Sequence, residues 1–197
     1  MQRVVIIYDN RGGPNSEQLA AYAEVLQKKY ESLGDYVQMC PVSSAENIAS
    51  QWNSLGSGYC DHVDILCHGG PGSLSCNNQE VKFDGLDNIN INNSISLYSC
   101  NGGTNINGTS VAQILADKSN APVKAVVNAR CWIDGKHCYG PYSVSFVSWS
   151  FFKKSVKDCF VGRWGLFLPQ KVKTALKTRL LSRGTRRSIG RRRPRRR

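Results

Sequence analysis

No apolar run in this 197-residue chain approaches the length that spans a bilayer, so a membrane-spanning helix is excluded. None of the eight cysteines stands in a Cys-x-x-Cys pair, which leaves a zinc ribbon without support. Gly12-Gly13 is not part of a Gly-x-Gly-x-x-Gly pattern and no P-loop lysine follows it, so a nucleotide-phosphate loop is not read there. The opening residues Met1–Asp9 are short, β-branched and without a small-residue cleavage site, so they read as a first buried strand and not as a secretory signal. No internal repeat occurs. From Lys171 onward there is no acidic residue at all, while 13 of the 26 Lys and Arg residues lie there. The formal charge of +12 therefore belongs to the C-terminal segment, and residues 1–170 carry a net charge of −1.

What remains suits one packed domain. Residues 1–169 read as an α/β unit, and residues 170–197 as a short basic helix followed by a disordered Arg-rich tail. Val4–Tyr8 forms a strand that Asp9-Asn10-Arg11-Gly12-Gly13-Pro14 breaks. A helix capped by Ser16 carries Leu19, Tyr22, Ala23, Leu26 and Tyr30 at helical spacing and ends near Gly34. Tyr36–Cys40 is a short strand, and Ser43 with Glu46 makes a capping box for a helix to about Leu55. Strands follow at Val63–Cys67, Ile95–Ser99 and Val123–Val127. A hairpin turns at Asn77-Asn78, a second occupies Trp132–Tyr142, and Gly162–Leu168 is a last strand. Thr109 or Ser110 caps a helix containing Val111, Ile114 and Leu115. Alternation of this kind predicts a mostly parallel sheet with helices on both faces and added hairpins.

Two of these strands end on reactive side chains. Ile65-Leu66-Cys67 stops at His68-Gly69-Gly70, and Ile95-Ser96-Leu97-Tyr98 stops at Ser99-Cys100-Asn101-Gly102-Gly103. If the strands are neighbours in a parallel sheet, the imidazole and the thiol emerge together at its carboxyl edge, where open α/β sheets place their chemistry. A thiol beside an imidazole is the minimum equipment for nucleophilic catalysis. The stretch Leu86–Asn93 between them is polar, Asn-rich and weak as a crossover helix, so a degenerate connection and a separation of the two strands both stay open. His62 and His137 read as surface or hairpin residues. A metal site from Cys60, His62, Cys67 and His68 is disfavoured, since successive strand residues face opposite sides, and no cofactor is expected.

An apolar block ending in His-Gly, followed by one ending in Ser-Cys, resembles the caspase-like (clan CD) cysteine peptidases. Together with Val111-Ala112-Gln113-Ile114-Leu115-Ala116 and Ala121-Pro122-Val123, it is most similar to caspase-like domains of bacterial toxins and effectors. The resemblance covers about residues 60–130. It implies a caspase-like fold, His68 as catalytic histidine and Cys100 as nucleophile. It also implies an oxyanion site from the amides of Gly69 and Cys100, and a substrate pocket near Asp9, Arg130 and Trp132. Gly69 is then the place where a missing Cβ lets substrate approach backbone. Asp9 suits a basic P1 side chain, which would make the chain's own tail a substrate.

The implied partner is a protein or peptide substrate. The basic tail fits a nucleic-acid or other polyanion anchor, a targeting address, or a plain solvated segment. Few aromatics interleave with its arginines, which weakens stacking-based recognition. The expected setting is cytoplasmic, or that of a delivered effector without a recognisable signal peptide, and a reducing compartment suits a free Cys100 thiol. The alternative class is a catalytically inactive caspase-like interaction module whose tail binds nucleic acid or another anion.

Overall fold

The computed structural model describes residues 1–11, 14–127, 132–133, 138–139, 163–167, 170 and 173. In chain order the elements are β1 (Arg3–Asp9), α1 (Pro14–Ser32), β2 (Tyr36–Val42), α2 (Ala45–Ser54), β3 (His62–Leu66), β4 (His68–Gly70), β5 (Ser73–Cys76), β6 (Gln79–Glu80), β7 (Ser94–Tyr98), α3 (Val111–Ser119), β8 (Val123–Val127), β9 (Trp132–Ile133), β10 (Cys138–Tyr139) and β11 (Arg163–Phe167). Six strands make one sheet in the order β11-β8-β7-β3-β1-β2. Five of them are mutually parallel, and β11 runs antiparallel to β8 at the edge. A separate antiparallel sheet, β4-β5-β6, grows from the end of β3, and β9 pairs with β10.

Strand alternation divides the core in two. Val4, Ile6, Leu66 and Tyr98 face α1 and pack on its Leu19, Tyr22, Ala23 and Leu26 stripe. Val5, Ile7, Val63, Ile65, Ile95 and Leu97 face the other side, where Ile48 and Trp52 of α2 and Val111, Ala112, Leu115 and Ala116 of α3 cover them. Helices thus lie on both faces, as the alternation of signals predicts. Two residues after β11 bond to α3: the Gln170 amide donates to Asp117 Oδ1 at 2.7 Å and Lys173 Nζ to Gln113 Oε1. The rest of the expected basic helix and the Arg-rich tail lie outside the described residues.

Three expectations change. The cap of α2 is Ser44, whose backbone is extended and whose hydroxyl accepts from the Asn47 amide, so the cap moves one residue on from Ser43. The connection between β3 and β7 contains no α-helix, only a 3-10 turn at Phe83–Gly85 and an extended segment. Its Leu86, Ile89 and Ile91 are buried in the larger core, and its backbone is held from outside. The Ile89 and Ile91 amides donate to the carbonyls of Lys118 and Ser119, and Trp52 Nε1 donates to the Asp87 carbonyl. Tertiary partners replace the intrahelical bonds that Asn-rich sequence would support poorly. The two strands are therefore direct neighbours despite the short link.

The third correction concerns His62, which is only 8% exposed. It opens β3 at the amino edge, with Nδ1 2.9 Å from Ser94 Oγ and Nε2 2.9 Å from Asp64 Oδ1. Tyr30 of α1 packs its ring 5.8 Å away, and Lys124 faces the group from β8. Burial pulls the His62 pKa down, but the charge and hydrogen bond of Asp64, with the bond to Ser94, outweigh it and leave it raised above 6.5. A raised histidine pKa contributes stability that is complete below the unfolded value and is lost as pH rises through the folded one. The stability advantage of the wild type over His62→Gln is expected to be largest near pH 5.5 and to shrink above pH 6.5. Urea unfolding of both proteins across that range checks it, and an advantage that grows with pH would refute it.

Candidate active site

The site is built by how three parallel strands end. The last ladder pair between β3 and β7 is Leu66 with Tyr98, and the Cys67 amide continues the ladder with a 3.3 Å bond to the Tyr98 carbonyl. His68 and Cys100 each lie two residues beyond that pair, which brings both to the carboxyl edge. On the other side of β3, Tyr8 pairs with Leu66, which sets Asp9 level with Cys67. The chain leaves β1 for β2 on one flank while β3 lies on the other, so this edge is a switch point of the topology, the usual location of ligand sites in open α/β sheets.

Each terminus is then turned sharply. After Cys67 the chain leaves the main sheet and becomes β4, so His68 is where the two sheets meet. After Cys100, Asn101 takes the left-handed conformation with φ of 54°, which asparagine tolerates better than most residues. Gly102 follows, where a Cβ would stand 2.6 Å from Leu97 Cδ2. The Gly103 amide bonds the Val126 carbonyl, and the Gly102 carbonyl accepts from Ala112 in the first turn of α3. Ser110 caps that helix by accepting from the Gln113 amide. Cys100 therefore sits on a turn pinned to both β8 and α3.

Gly69 is required for a different reason than substrate approach. A Cβ there would lie 2.0 Å from Ser99 Oγ, 2.8 Å from the Ser73 carbonyl and 3.4 Å from that of Cys100. The glycine lets the His-bearing segment lie against the Ser99 hydroxyl of the Cys-bearing segment and the Ser73 carbonyl of β5. Ser73, in turn, borders an open cleft of about 720 Å³ that Glu46, Glu80, Lys82, Phe83 and Asp84 also line.

Asp9 is the carboxylate of this edge. It is 0% exposed, yet its Oδ2 lies 3.1 Å from Arg11 Nε and its Oδ1 accepts from the Arg11 amide at 3.3 Å. A substrate cation reaching this carboxylate would have to displace Arg11. Burial lowers the pKa of His68 below 6.5, Asp9 acts against that shift and Arg11 with it, so the ring is neutral at pH 7. Burial pushes the Cys76 thiol up to about 11, with Asp9 adding to the effect. The Cys67 thiol is driven higher still by its complete burial and by Cys76, Asp9 and Cys100. Cys40, Cys60, Cys67, Cys76 and Cys100 are all reduced, and of these Cys100 alone is not fully buried.

Among the described residues, five buried side-chain polar atoms lack a hydrogen-bond partner, and three of them are here: Asp9 Oδ2, His68 Nε2 and Ser99 Oγ. The contact of Asp9 Oδ2 with Arg11 is an ion pair whose geometry does not make a hydrogen bond. Unpartnered buried groups are costly to keep and concentrate where function needs them. The edge thus brings together His68, Gly69, Cys100 and Asp9. Arg130 lies outside the described residues, and Trp132 opens β9 with its side chain outside the description. Sequence reasoning missed Arg11, Ser73, Cys76 and Ser99. Arg11 had a signal, since it follows the first strand by two residues. No family model and no curated protein matches the chain.

Proposed function

We propose that the chain is a caspase-like cysteine endopeptidase in which Cys100 and His68 form the catalytic dyad. The observation that carries this reading is the parallel pairing of β3 with β7, whose last pair lies two residues before both His68 and Cys100. Neutral His68 takes the thiol proton as the Cys100 sulfur attacks the scissile carbonyl. The amides of Gly69 and Cys100 stabilise the oxyanion, an effect worth about 3–4 kcal/mol for one donor. His68 then protonates the leaving amine, and water, giving its proton to His68, releases the acyl-enzyme. In this reading Asp9 selects a basic P1 side chain, with Arg130 and Trp132 beside the pocket. The chain would then act as an effector or autoprocessing module on protein or peptide substrates, without a cofactor.

An acyloxymethyl-ketone peptide probe with arginine at P1 tests the proposal. The wild type is expected to be labelled stoichiometrically, Cys100→Ala not at all, and Asp9→Ala no faster by the arginyl probe than by a leucyl one. Folded wild type that resists labelling would instead favour the inactive interaction module, whose basic tail binds a polyanion. Arginyl preference kept by Asp9→Ala would remove Asp9 from the pocket and leave the dyad standing.

A further inference from the structure

The strand that carries His68 has a second feature at its root. In the antiparallel pair β4–β5, His68 faces Ser75, Gly69 faces Leu74 and Gly70 faces Ser73. Extending this register by one residue sets Cys67 opposite Cys76. Facing residues of an antiparallel pair hold their Cα atoms about 4.5–5.5 Å apart, within the roughly 4.4–6.8 Å that a disulfide spans. Both side chains enter the same core cluster, 4% and 0% exposed, and both are reduced. The charge of the Cys76 thiolate is felt at Cys67, whose pKa it pushes up.

We propose that Cys67 and Cys76 are a redox pair, and that closing a cross-strand disulfide between them modifies the candidate active site from beneath. The oxidant is a small disulfide such as oxidised glutathione. One protein thiolate attacks a glutathione sulfur and expels a glutathione thiolate. The second protein thiolate attacks the protein sulfur of the mixed disulfide and expels the other. Two protein thiol protons end on two reduced glutathiones, so two electrons leave the protein and two reach glutathione. Thiolates are the attacking species, and both thiols are buried with raised pKa values. Exchange therefore waits for the short β4–β5–β6 sheet to open and is expected to be slow and faster at high pH.

The consequence for the site follows from what Cys76 does when reduced. The charge of Asp9 acts on the Cys76 thiol and on His68 alike. Oxidation removes the ionisable Cys76 thiol from the field of Asp9 and ties the residue before His68 to β5. Formation of the bond is independent of the peptidase reading, whereas its effect on Cys100 reactivity rests on it.

The test incubates the full chain at pH 8 in glutathione buffers of increasing oxidised fraction, quenches with acid, alkylates under denaturing conditions and maps peptides by mass spectrometry. A peptide linking Cys67 to Cys76 is expected, two hydrogens lighter, restored by dithiothreitol and absent from Cys76→Ala. The linked protein, selected as molecules free of glutathione at Cys100, is expected to react with the arginyl probe at least tenfold more slowly. Recovery of both cysteines fully alkylated, in a buffer that glutathionylates Cys100, would overturn the pair. So would a Cys67–Cys100 link in place of the expected one. A Cys67–Cys76 link with unchanged probe rate would overturn the regulatory half alone. A link in a protein whose Cys100 never labels would keep the redox pair and remove the peptidase.

Discussion

His68→Ala is expected to cut kcat for peptide hydrolysis by about 10³-fold with little change in KM, the usual scale for losing a positioned acid–base group. The loss is large because one ring performs two transfers. It must accept the thiol proton when sulfur attacks and return it to the departing amine. The pH profile gives the direction. Burial holds the His68 pKa below 6.5, so the competent neutral ring persists to a lower pH than a solvated histidine would allow. Activity is expected to fall on the acid side through a pKa below 6.5. Arg11→Ala removes the cation that helps hold it down and moves that limb upward. Asp9→Asn removes the anion that opposes it and moves the limb downward. Stopped assays of kcat and KM from pH 4.5 to 8.5 read all three. Retention of more than a tenth of wild-type kcat by His68→Ala would reject the dyad, and so would an acid limb that neither charge variant moves.

The elements that a single sequence reveals well here are those whose burial is one- or two-sided in a regular period. Val4–Tyr8, Val123–Val127 and the Leu19–Leu26 stripe were readable because both sides of β1, and one side each of β8 and α1, meet apolar partners. His68 and Cys100 were readable because each ends such a run. The link Leu86–Asn93 was not, because its structure comes from bonds to Lys118, Ser119, Trp52 and Asn53, residues at long sequence separation. His62 was misread for a related reason. A histidine at the start of a strand looks like an edge residue until Asp64, Ser94 and Ser96 from the same sheet surround it. Asp9 gave its position but not its state: nothing in the first strand announces that Arg11 folds back onto the carboxylate.

Gly69→Ala joins the fold to the site and is expected to damage both. Its Cβ would stand 2.0 Å from Ser99 Oγ and 2.8 Å from the Ser73 carbonyl, closer than atoms can approach without movement. The Ser99 hydroxyl and the Ser73 carbonyl must both give way, and overpacking of this kind costs about 1–3 kcal/mol. Movement of the Ser99 segment carries Cys100 with it, so labelling of Cys100 by the arginyl probe should fall at least a hundredfold, more than loss of stability alone explains in a protein still folded. The nearer clash involves a hydroxyl that is buried and without a hydrogen-bond partner, so Ser99→Ala alone is expected to be neutral or mildly stabilising. In the double variant the hydroxyl is gone but the Ser73 carbonyl is not, and rescue should be partial. Urea unfolding of the four proteins closes the cycle, with a coupling energy of about 0.5–3 kcal/mol expected for residues in direct contact. Additive effects would mean that Gly69 and Ser99 do not touch. The His-bearing segment would then not lie against the Ser99 side chain, and the dyad would lose the contact that joins its two halves.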